Sequence, residues 1–418
     1  MPGFRFIHAA DVHLDSPLRG LSRYDGVPAE QVRLATRTAL GNLVETAITE
    51  EVSFVIIAGD VFDGNWDDFC TGLFFCAQMG KLNRHGIDVY MVRGNHDADS
   101  NMTKRLPLPL NVKVFSHRKA EHHVHEPTGA VLHGQSYAER DPKANLSLNY
   151  GKGLAGCFNV GILHTALGGN YSGHEPYSPC SLEDLAAREY DYWALGHIHQ
   201  FQHVCPTPHV VFPGNLQGRD IREAGPKGAV IVTVNDGSVE SVERIYLDAV
   251  RWCSIEVDLS GAEQLGEVDR RVTAAAGAAF DSQADGRPLL IRLTLSGVTP
   301  LHSALTNMQT ILREEVRALA AGVSDTLWIE KTSLRTRAPA EPGGDHPMLL
   351  DIADLLDEAR ADATLLDALK QDYGDLLSRL PADGIEGELV RMVRDGDVSS
   401  ILAEGATALK AHLRGAGF

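Results

Sequence analysis

The sequence predicts an α/β protein: two sheets packed face to face with helices outside them, then a smaller α/β domain and a helical end. Three observations predict this. Over residues 1–97, apolar runs of strand length alternate with stretches of helical periodicity. Polar clusters stand at the carboxyl ends of those strands, where open α/β sheets keep their sites. Beyond residue 130, short strands with turn signals between them predominate. At 418 residues the chain is also too long for one ordinary core, so two or three domains are expected.

Residues 4–10 read as a buried strand that delivers Asp11-Val12-His13 to the loop beyond it. Pro28 opens a helix whose apolar stripe is Val32, Ala35, Ala39, Leu43, Ala47 and Ile48. Residues 54–58 form a second strand, ending at Gly59-Asp60-Val61-Phe62-Asp63. A helix from Asp67 to about Arg84 stops at Gly86, and a third strand over 87–92 ends at Arg93-Gly94-Asn95-His96-Asp97. Strands over 130–133, 158–164 and 191–196 follow, the last ending in Gly196-His197-Ile198-His199. Shorter ones occupy 201–204, 209–212, 228–234 and 239–246, with Asn235-Asp236-Gly237 as a turn. This first domain is expected over 1–250.

From Arg251 the order strand, helix, strand, helix, strand (252–259, 262–280, 288–296, 301–321, 326–334) predicts a small α/β domain over 251–336. A linker over 337–347 is rich in proline and glycine. Residues 348–418 have helical periodicity and a surplus of acidic residues. Such a tail is unsuited to gripping phosphates; its apolar stripes complete a local bundle or dock a partner protein.

Composition is that of a globular protein, 44% hydrophobic and 22% charged, with no run long and apolar enough to span a membrane and no signal-peptide pattern in Met1-Pro2-Gly3-Phe4-Arg5-Phe6-Ile7-His8. A cytoplasmic location is expected. The six cysteines include no Cys-x-x-Cys, which argues against a zinc ribbon or a disulfide framework and for reduced thiols. A net charge of -18 argues against general affinity for nucleic acid. It does not exclude a local basic groove, and bound divalent cations reverse the sign of a carboxylate-rich site.

Collected, the polar strand ends supply Asp11, His13, Asp60, Asn95, His96, His164, His197 and His199. Oxygen and imidazole donors without sulfur suit manganese, iron or zinc better than calcium or a structural zinc. His197 and His199, one residue apart on a turning backbone, can reach two different ions. A carboxylate can bridge two ions about 3.5–4 Å apart, and such a pair activates water toward phosphorus.

Asp11-x-His13, Gly59-Asp60-x-x-Asp63, Gly94-Asn95-His96-Asp97, His164 and Gly196-His197-x-His199 resemble the five ordered motifs of the calcineurin-like metallophosphoesterases. Within them the chain is most similar to the SbcD and YhaO type of DNA repair exonuclease. That similarity rests on residues 9–15, 191–199 and 212–219 leading to Gly225-Pro226-Lys227-Gly228, and it extends weakly to about residue 335. The resemblance implies a four-layer β-sandwich flanked by helices, with 251–336 capping the groove. It implies two divalent ions, manganese first, with iron or zinc as alternatives. Asp11, His13, Asp60 and His199 would hold one ion, and Asp60, Asn95, His164 and His197 the other. His96 would protonate the leaving oxygen and Asp97 would orient its ring. Where archaeal and eukaryotic nucleases of the group carry a histidine, this chain has Asp63, which also belongs to the candidate catalytic set. The partners implied are DNA and an SMC-like ATPase of the SbcC or YhaN kind docked through the C-terminal helices; pairing of two copies is compatible with it.

Other features have plainer readings. His122-His123-Val124-His125 reads as a solvated edge strand or loop rather than a metal site. His174 and Tyr177-Ser178-Pro179-Cys180 line a substrate groove or form a structural loop, and Cys180 is not needed as a nucleophile in two-metal chemistry. Arg93, Lys104, Arg105, Arg219, Arg222 and Lys227 are the basic residues nearest the ligand loops in sequence, and so the candidate DNA contacts, of which Arg93, Arg219, Arg222 and Lys227 are retained. The expected activity is two-metal DNA phosphodiester hydrolysis, as exonuclease and also endonuclease. The alternatives are hydrolysis of a small phosphodiester or phosphomonoester, and a scaffold that binds DNA ends or a partner without cutting.

Overall fold

Apolar side chains on both faces make the first strand a central one. In β1 (Phe4–Ala9), Phe4 and Phe6 enter one core while Ile7 and Ala9 enter the opposite one. β2 (Phe54–Ala58) and β3 (Asp88–Val92) repeat the pattern, and both run parallel to β1. The computed structural model describes residues 3–16, 32, 34–64, 69–99, 106–168, 176–339 and 362–378, with isolated positions at 355, 358, 401, 402, 405 and 409. The predicted helix openings at Pro28 and Asp67 lie outside the described residues, as do Lys104, Arg105 and His174.

The chain divides into two compact units, residues 1–256 with 272–294 and 316–333, and residues 257–271 with 295–315 and 334–418. The first unit holds both large sheets. One has the order β12-β11-β1-β2-β3-β4, completed by β4 (Val112–Val114), β11 (Gly228–Asn235) and β12 (Ser238–Tyr246). The other has the order β5-β6-β7-β8-β10-β9: β5 (Glu121–His125), β6 (Ala130–Gly134), β7 (Asn159–His164), β8 (Tyr192–Gly196), β9 (Gln202–Pro206) and β10 (His209–Phe212). Each contains a parallel block, β1-β2-β3-β4 and β6-β7-β8-β10, with antiparallel strands at one edge of the first sheet and at both edges of the second. Short connections and the right-handed crossover explain why the parallel strands all end at the same edge.

Phe6, Phe54, Ile56, Tyr90, Val160, Ile162 and Tyr192 interdigitate between the two sheets. Phe6 stacks on Phe54 at 5.0 Å and meets Tyr192 edge-on at 5.4 Å. Each such ring contributes about 1.5–3 kcal/mol by burial. Helices α1 (Ala35–Thr49) and α2 (Cys70–Arg84) cover the outer face of the first sheet with Ala39, Leu43, Phe75 and Met79. The predicted stripe of α1 is buried as its spacing requires, with Ile48 partly so. A short helix, α3 (Asn95–Asp99), follows β3. Over the outer face of the second sheet, Trp193, Leu195 and Val210 pack under Tyr150, Tyr190 and Leu185 of α4 (Leu182–Ala186), which starts at a Ser181/Asp184 capping box.

A third sheet has the order β13-β14-β15, formed by β13 (Arg251–Asp258), β14 (Leu289–Val298) and β15 (Leu327–Arg337). α5 (Leu265–Gln283) lies between the first two of these strands in sequence. The single helix expected over 301–321 is two, α6 (His302–Asn307) and α7 (Gln309–Val323), because Met308 leaves helical geometry at φ −105° and ψ 22°. At the start of β13, Trp252 is buried with Val32, Ala35 and Leu290 and donates its indole N–H to the Gly218 carbonyl at 2.9 Å. Of the predicted C-terminal helices the described part is α8 (Ala363–Ser378) and the isolated positions; the linker is outside the described residues from 340 onward.

Candidate metal centre

Five strand ends meet at one place, three from the first sheet and two from the second. The loops after β1 and β2 are zipped together by Asp11 N–H to Gly59 O at 3.0 Å and His13 N–H to Asp60 O at 3.1 Å. Asp11, His13, Asp60 and His197 all hold positive φ (51°, 43°, 52° and 104°). Non-glycine residues accept that conformation at a cost of about 1–3 kcal/mol each, only where their surroundings fix them, and such outliers gather at functional sites. Two motif glycines are there because nothing larger fits. A Cβ on Gly196 would overlap the Ala58 carbonyl, and one on Gly94 would overlap the Asp60 carboxylate.

The side chains form groups that share members: Asp11, His13 and His199; His13, Asp60 and His96; Asp11, Asp60 and His164. His13 Nε2 lies 3.2 Å from His199 Nε2, which is 3.8 Å from Asp11 Oδ1. His164 Nε2 lies 3.1 Å from Asn95 Oδ1 and 3.5 Å from Asp60 Oδ2. The His197 ring is 5.3 Å from that of His164, and the His197 amide donates to both Asp11 oxygens.

These donors fit cations. His164 Nδ1 is 2.9 Å from the Ala58 carbonyl, which can only accept, so the ring proton sits on Nδ1. Its Nε2 lone pair then faces two oxygens that are themselves acceptors. His199 repeats this: Nδ1 donates to Glu223 Oε1 at 2.7 Å, leaving the Nε2 lone pair toward His13 and Asp11. His13 has Nδ1 3.5 Å from Asp63, and burial, then the charge of Arg219, holds its pKa well below the usual value, so it is neutral. At His164 Nε2, lone pairs converge with no proton to share between them, which is what a divalent ion resolves. Burial, then repulsion from Asp60, pushes the Asp11 carboxyl well up, and burial pushes Asp60 to about 6. Positive charge between these carboxylates removes both effects.

His96 differs from the other rings. Its side chain is 31% exposed, against 1% for His13 and 0% for His164, so it is open to a substrate. Its Nδ1 is 3.0 Å from Asp63 Oδ1. Burial lowers the His96 pKa, but the Asp63 hydrogen bond and the charges of Asp60 and Asp63 outweigh it and raise the value above normal. Asp63 also takes a hydrogen bond from Ser16 Oγ at 2.8 Å; against the effect of burial, its contacts with His13 and His96 hold it far below the usual carboxylate range.

The structure gives Asp97 a different task from the one expected. Its carboxylate accepts from the amides of Val61, Phe62 and Gly94 and ties the β2 loop to α3, while Asp63 meets the His96 ring. Burial, then Asp60, raises Asp97 to about 7. Of the basic candidates, Arg219 is in the site, 3.0 Å from Glu223 and 3.8 Å from Asp63. Lys227 is buried, with Nζ donating to the His199 carbonyl at 2.7 Å. Arg222 is exposed and paired with Asp220 at 2.7 Å. Arg93 is half-buried, its amide donating to Ser136 Oγ.

Two residues escaped sequence reasoning. Glu223 binds His199, Arg219 and Asn215 together, and despite burial the His199 hydrogen bond and the Arg219 charge hold it far below the usual range. Its only sequence signal is the four-residue spacing from Arg219. Tyr137 donates its hydroxyl to the His164 carbonyl at 2.6 Å. The Tyr177 ring lies 5.5 Å from that of His197, whereas Cys180 is buried beside Thr165 with its thiol pushed up to about 11, unfit as a nucleophile. The 122–125 histidines lie on edge strand β5.

Residues 4–201 match the family described as calcineurin-like phosphoesterase, and residues 252–337 match that described as metallophosphoesterase YhaO, middle domain. The chain is 34% identical over 300 residues to the uncharacterized metallophosphoesterase YhaO of Bacillus subtilis, covering 71% of this chain and 72% of the relative. It is 25% identical over 297 residues to the DNA double-strand break repair protein Mre11 of Methanopyrus kandleri, covering 64% and 62%. With the SbcD component of the SbcCD nuclease of Escherichia coli it is 26% identical over 288 residues, covering 58% and 68%.

Proposed function

Because the chain belongs to the calcineurin-like metallophosphoesterases, hydrolases of phosphoester bonds, with a YhaO-type middle domain, we propose that it cleaves DNA phosphodiesters as the nuclease subunit of a repair complex in the cytoplasm. The observation that carries the reading is the convergence of Asp11, His13, Asp60, Asn95, His164, His197 and His199 beside a half-exposed His96. The Mre11 and SbcCD relatives, by name a DNA double-strand break repair protein and a nuclease, supply the substrate class.

Two divalent ions, manganese foremost, supply Lewis-acid charge at the phosphoryl oxygens when bound. Asp11, His13 and His199 would hold one, Asn95, His164 and His197 the other, and Asp60 would be the donor shared by both. Glu223 and the Ala58 carbonyl fix the tautomers of His199 and His164, so that the correct nitrogen of each faces inward. Asp63 accepts a hydrogen bond from Nδ1–H of His96, which leaves Nε2–H to protonate the departing deoxyribose oxygen. Arg219, anchored by Glu223, adds positive charge beside Asp63.

The test compares linear duplex DNA, single strands and a chromogenic phosphodiester in manganese. Duplex cleavage abolished by chelator is expected; turnover of the small ester alone would defeat the nuclease reading. For the C-terminal helices, we expect deletion of residues 346–418 to leave nuclease activity intact but to remove binding of an SMC-like ATPase. Unchanged co-purification with that ATPase would refute the docking role. No helix among the described residues is long and apolar enough to cross a membrane.

A further inference from the structure

A cavity of about 190 Å³ adjoins the metal centre through His199, which lines it together with Phe201, Gly214, Pro226, Lys227 and Arg244. Its residues include two cations and no carboxylate, in a chain whose net charge is -18. Lys227 is 8% exposed, and its ammonium makes one hydrogen bond, to the His199 carbonyl, with no carboxylate within ion-pair reach among the described residues. Two of its three N–H donors remain. Arg244 lies over Phe201 at 4.6 Å and over Tyr246 at 5.2 Å, and gives one hydrogen bond to the Pro226 carbonyl at 3.3 Å. The two rings hold the guanidinium plane in place and leave the rest of its donor fork for a ligand.

A buried ammonium without an ion-pair partner is costly. The charges of Glu223 and Asp248 offset part of that cost from beyond contact distance, while Arg244 and Arg219 repel it, so two spare N–H donors beside a second cation suit an anion. The size narrows the choice. Sites for whole drug-sized ligands run to about 300–1,000 Å³, so this cavity takes a group such as a phosphate with part of its sugar. Metal cations are excluded by the charge of the walls. Because His199 belongs both to the cavity and to the metal centre, an anion here is a near neighbour of the one being hydrolysed.

We propose that Lys227 and Arg244 form a phosphate subsite that takes a phosphodiester group neighbouring the scissile one. The identity of that group rests on the nuclease reading; the anion site does not. A flat guanidinium fork matches phosphate oxygens two at a time. Such a subsite favours polynucleotides over small esters, whose one phosphate is taken up by the metal centre.

The test measures binding of a phosphorothioate duplex to the manganese-loaded protein across a salt series, and calorimetric binding of inorganic pyrophosphate. Wild type, Arg244→Ala and Arg244→Lys are compared. Each neutralised phosphate adds about 0.9 to the slope of log affinity against log salt. Arg244→Ala is expected to weaken duplex binding about tenfold and to lower that slope by about one. Arg244→Lys should restore the slope but not all of the affinity; a merely structural loss would leave the slope unchanged in every variant.

Duplex cleavage with equal slopes, and pyrophosphate binding indifferent to Arg244, would overturn the subsite and leave the nuclease reading standing. Arg244-dependent pyrophosphate binding by a protein that neither binds nor cuts duplex would uphold the anion site and defeat the nuclease reading. Dependence on Arg244 in neither assay, with no duplex cleavage, overturns both.

Discussion

Asp60→Asn is expected to cost the centre its metal and about a thousandfold or more in hydrolysis, yet to make the metal-free protein more stable at neutral pH. The first effect follows from position. Asp60 belongs both to the group with His13 and to the group with Asp11 and His164, so its carboxylate is the donor both ions would share. An amide cannot bridge two cations, and losing several kcal/mol of transition-state charge stabilisation means three or more factors of ten in rate.

The second effect has the opposite sign and comes from the same carboxylate. Burial raises the Asp60 pKa from 3.8 to about 6, so the folded state disfavours the charged form. That contribution to stability is fully present below about pH 4 and is lost as pH rises through about 6. At neutral pH the metal-free wild type carries the whole penalty, and the uncharged amide of Asp60→Asn removes it. With manganese the ranking inverts, because ions that bind only the folded wild type stabilise it by mass action. Metal content per chain, melting temperature with and without chelator, and hydrolysis rate check all three. A variant that kept two ions per chain, or the wild-type rate, would show that Asp60 is not the shared ligand.

The strand-end positions of the candidate ligands were legible in the sequence because each follows an apolar run whose length and alternation fix it as a strand. Asp11, Asp60, Asn95, His164 and His197 inherit their positions from that pattern. Direction was less legible. Asp97 is next to His96 in sequence, but both lie on helix α3, where consecutive side chains point about 100° apart; Asp97 turns to the backbone of the β2 loop. Asp63, 33 residues before His96, arrives from a different strand end and takes its ring. Glu223 was invisible for a similar reason. It comes from a loop after β10, and only the tertiary return of that loop brings it to His199. For Lys227, proximity to the ligand loops says nothing of burial; its ammonium is turned onto a backbone carbonyl. Strand β4, three residues long and half-buried, offers no run to detect.

His96→Ala is expected to lower DNA cleavage by about 10²–10⁴-fold while leaving metal content unchanged. The ring is the exposed one of the cluster, and its Nδ1 is committed to Asp63, so removing it deletes a proton donor and leaves the other imidazoles where they are. The loss should depend on the leaving group. A deoxyribose alkoxide needs its proton in the transition state, whereas 4-nitrophenolate departs without one. His96→Ala should therefore be much less impaired on a 4-nitrophenyl phosphodiester than on DNA. Asp63→Asn should follow the same order to a smaller degree, because it leaves the ring in place but takes away the carboxylate that orients and charges it. If His96 were a metal ligand instead, His96→Ala would lose an ion and the two substrates would fall together. Metal analysis beside paired rate measurements separates these outcomes, and wild-type cleavage of DNA by His96→Ala would remove the assigned acid altogether.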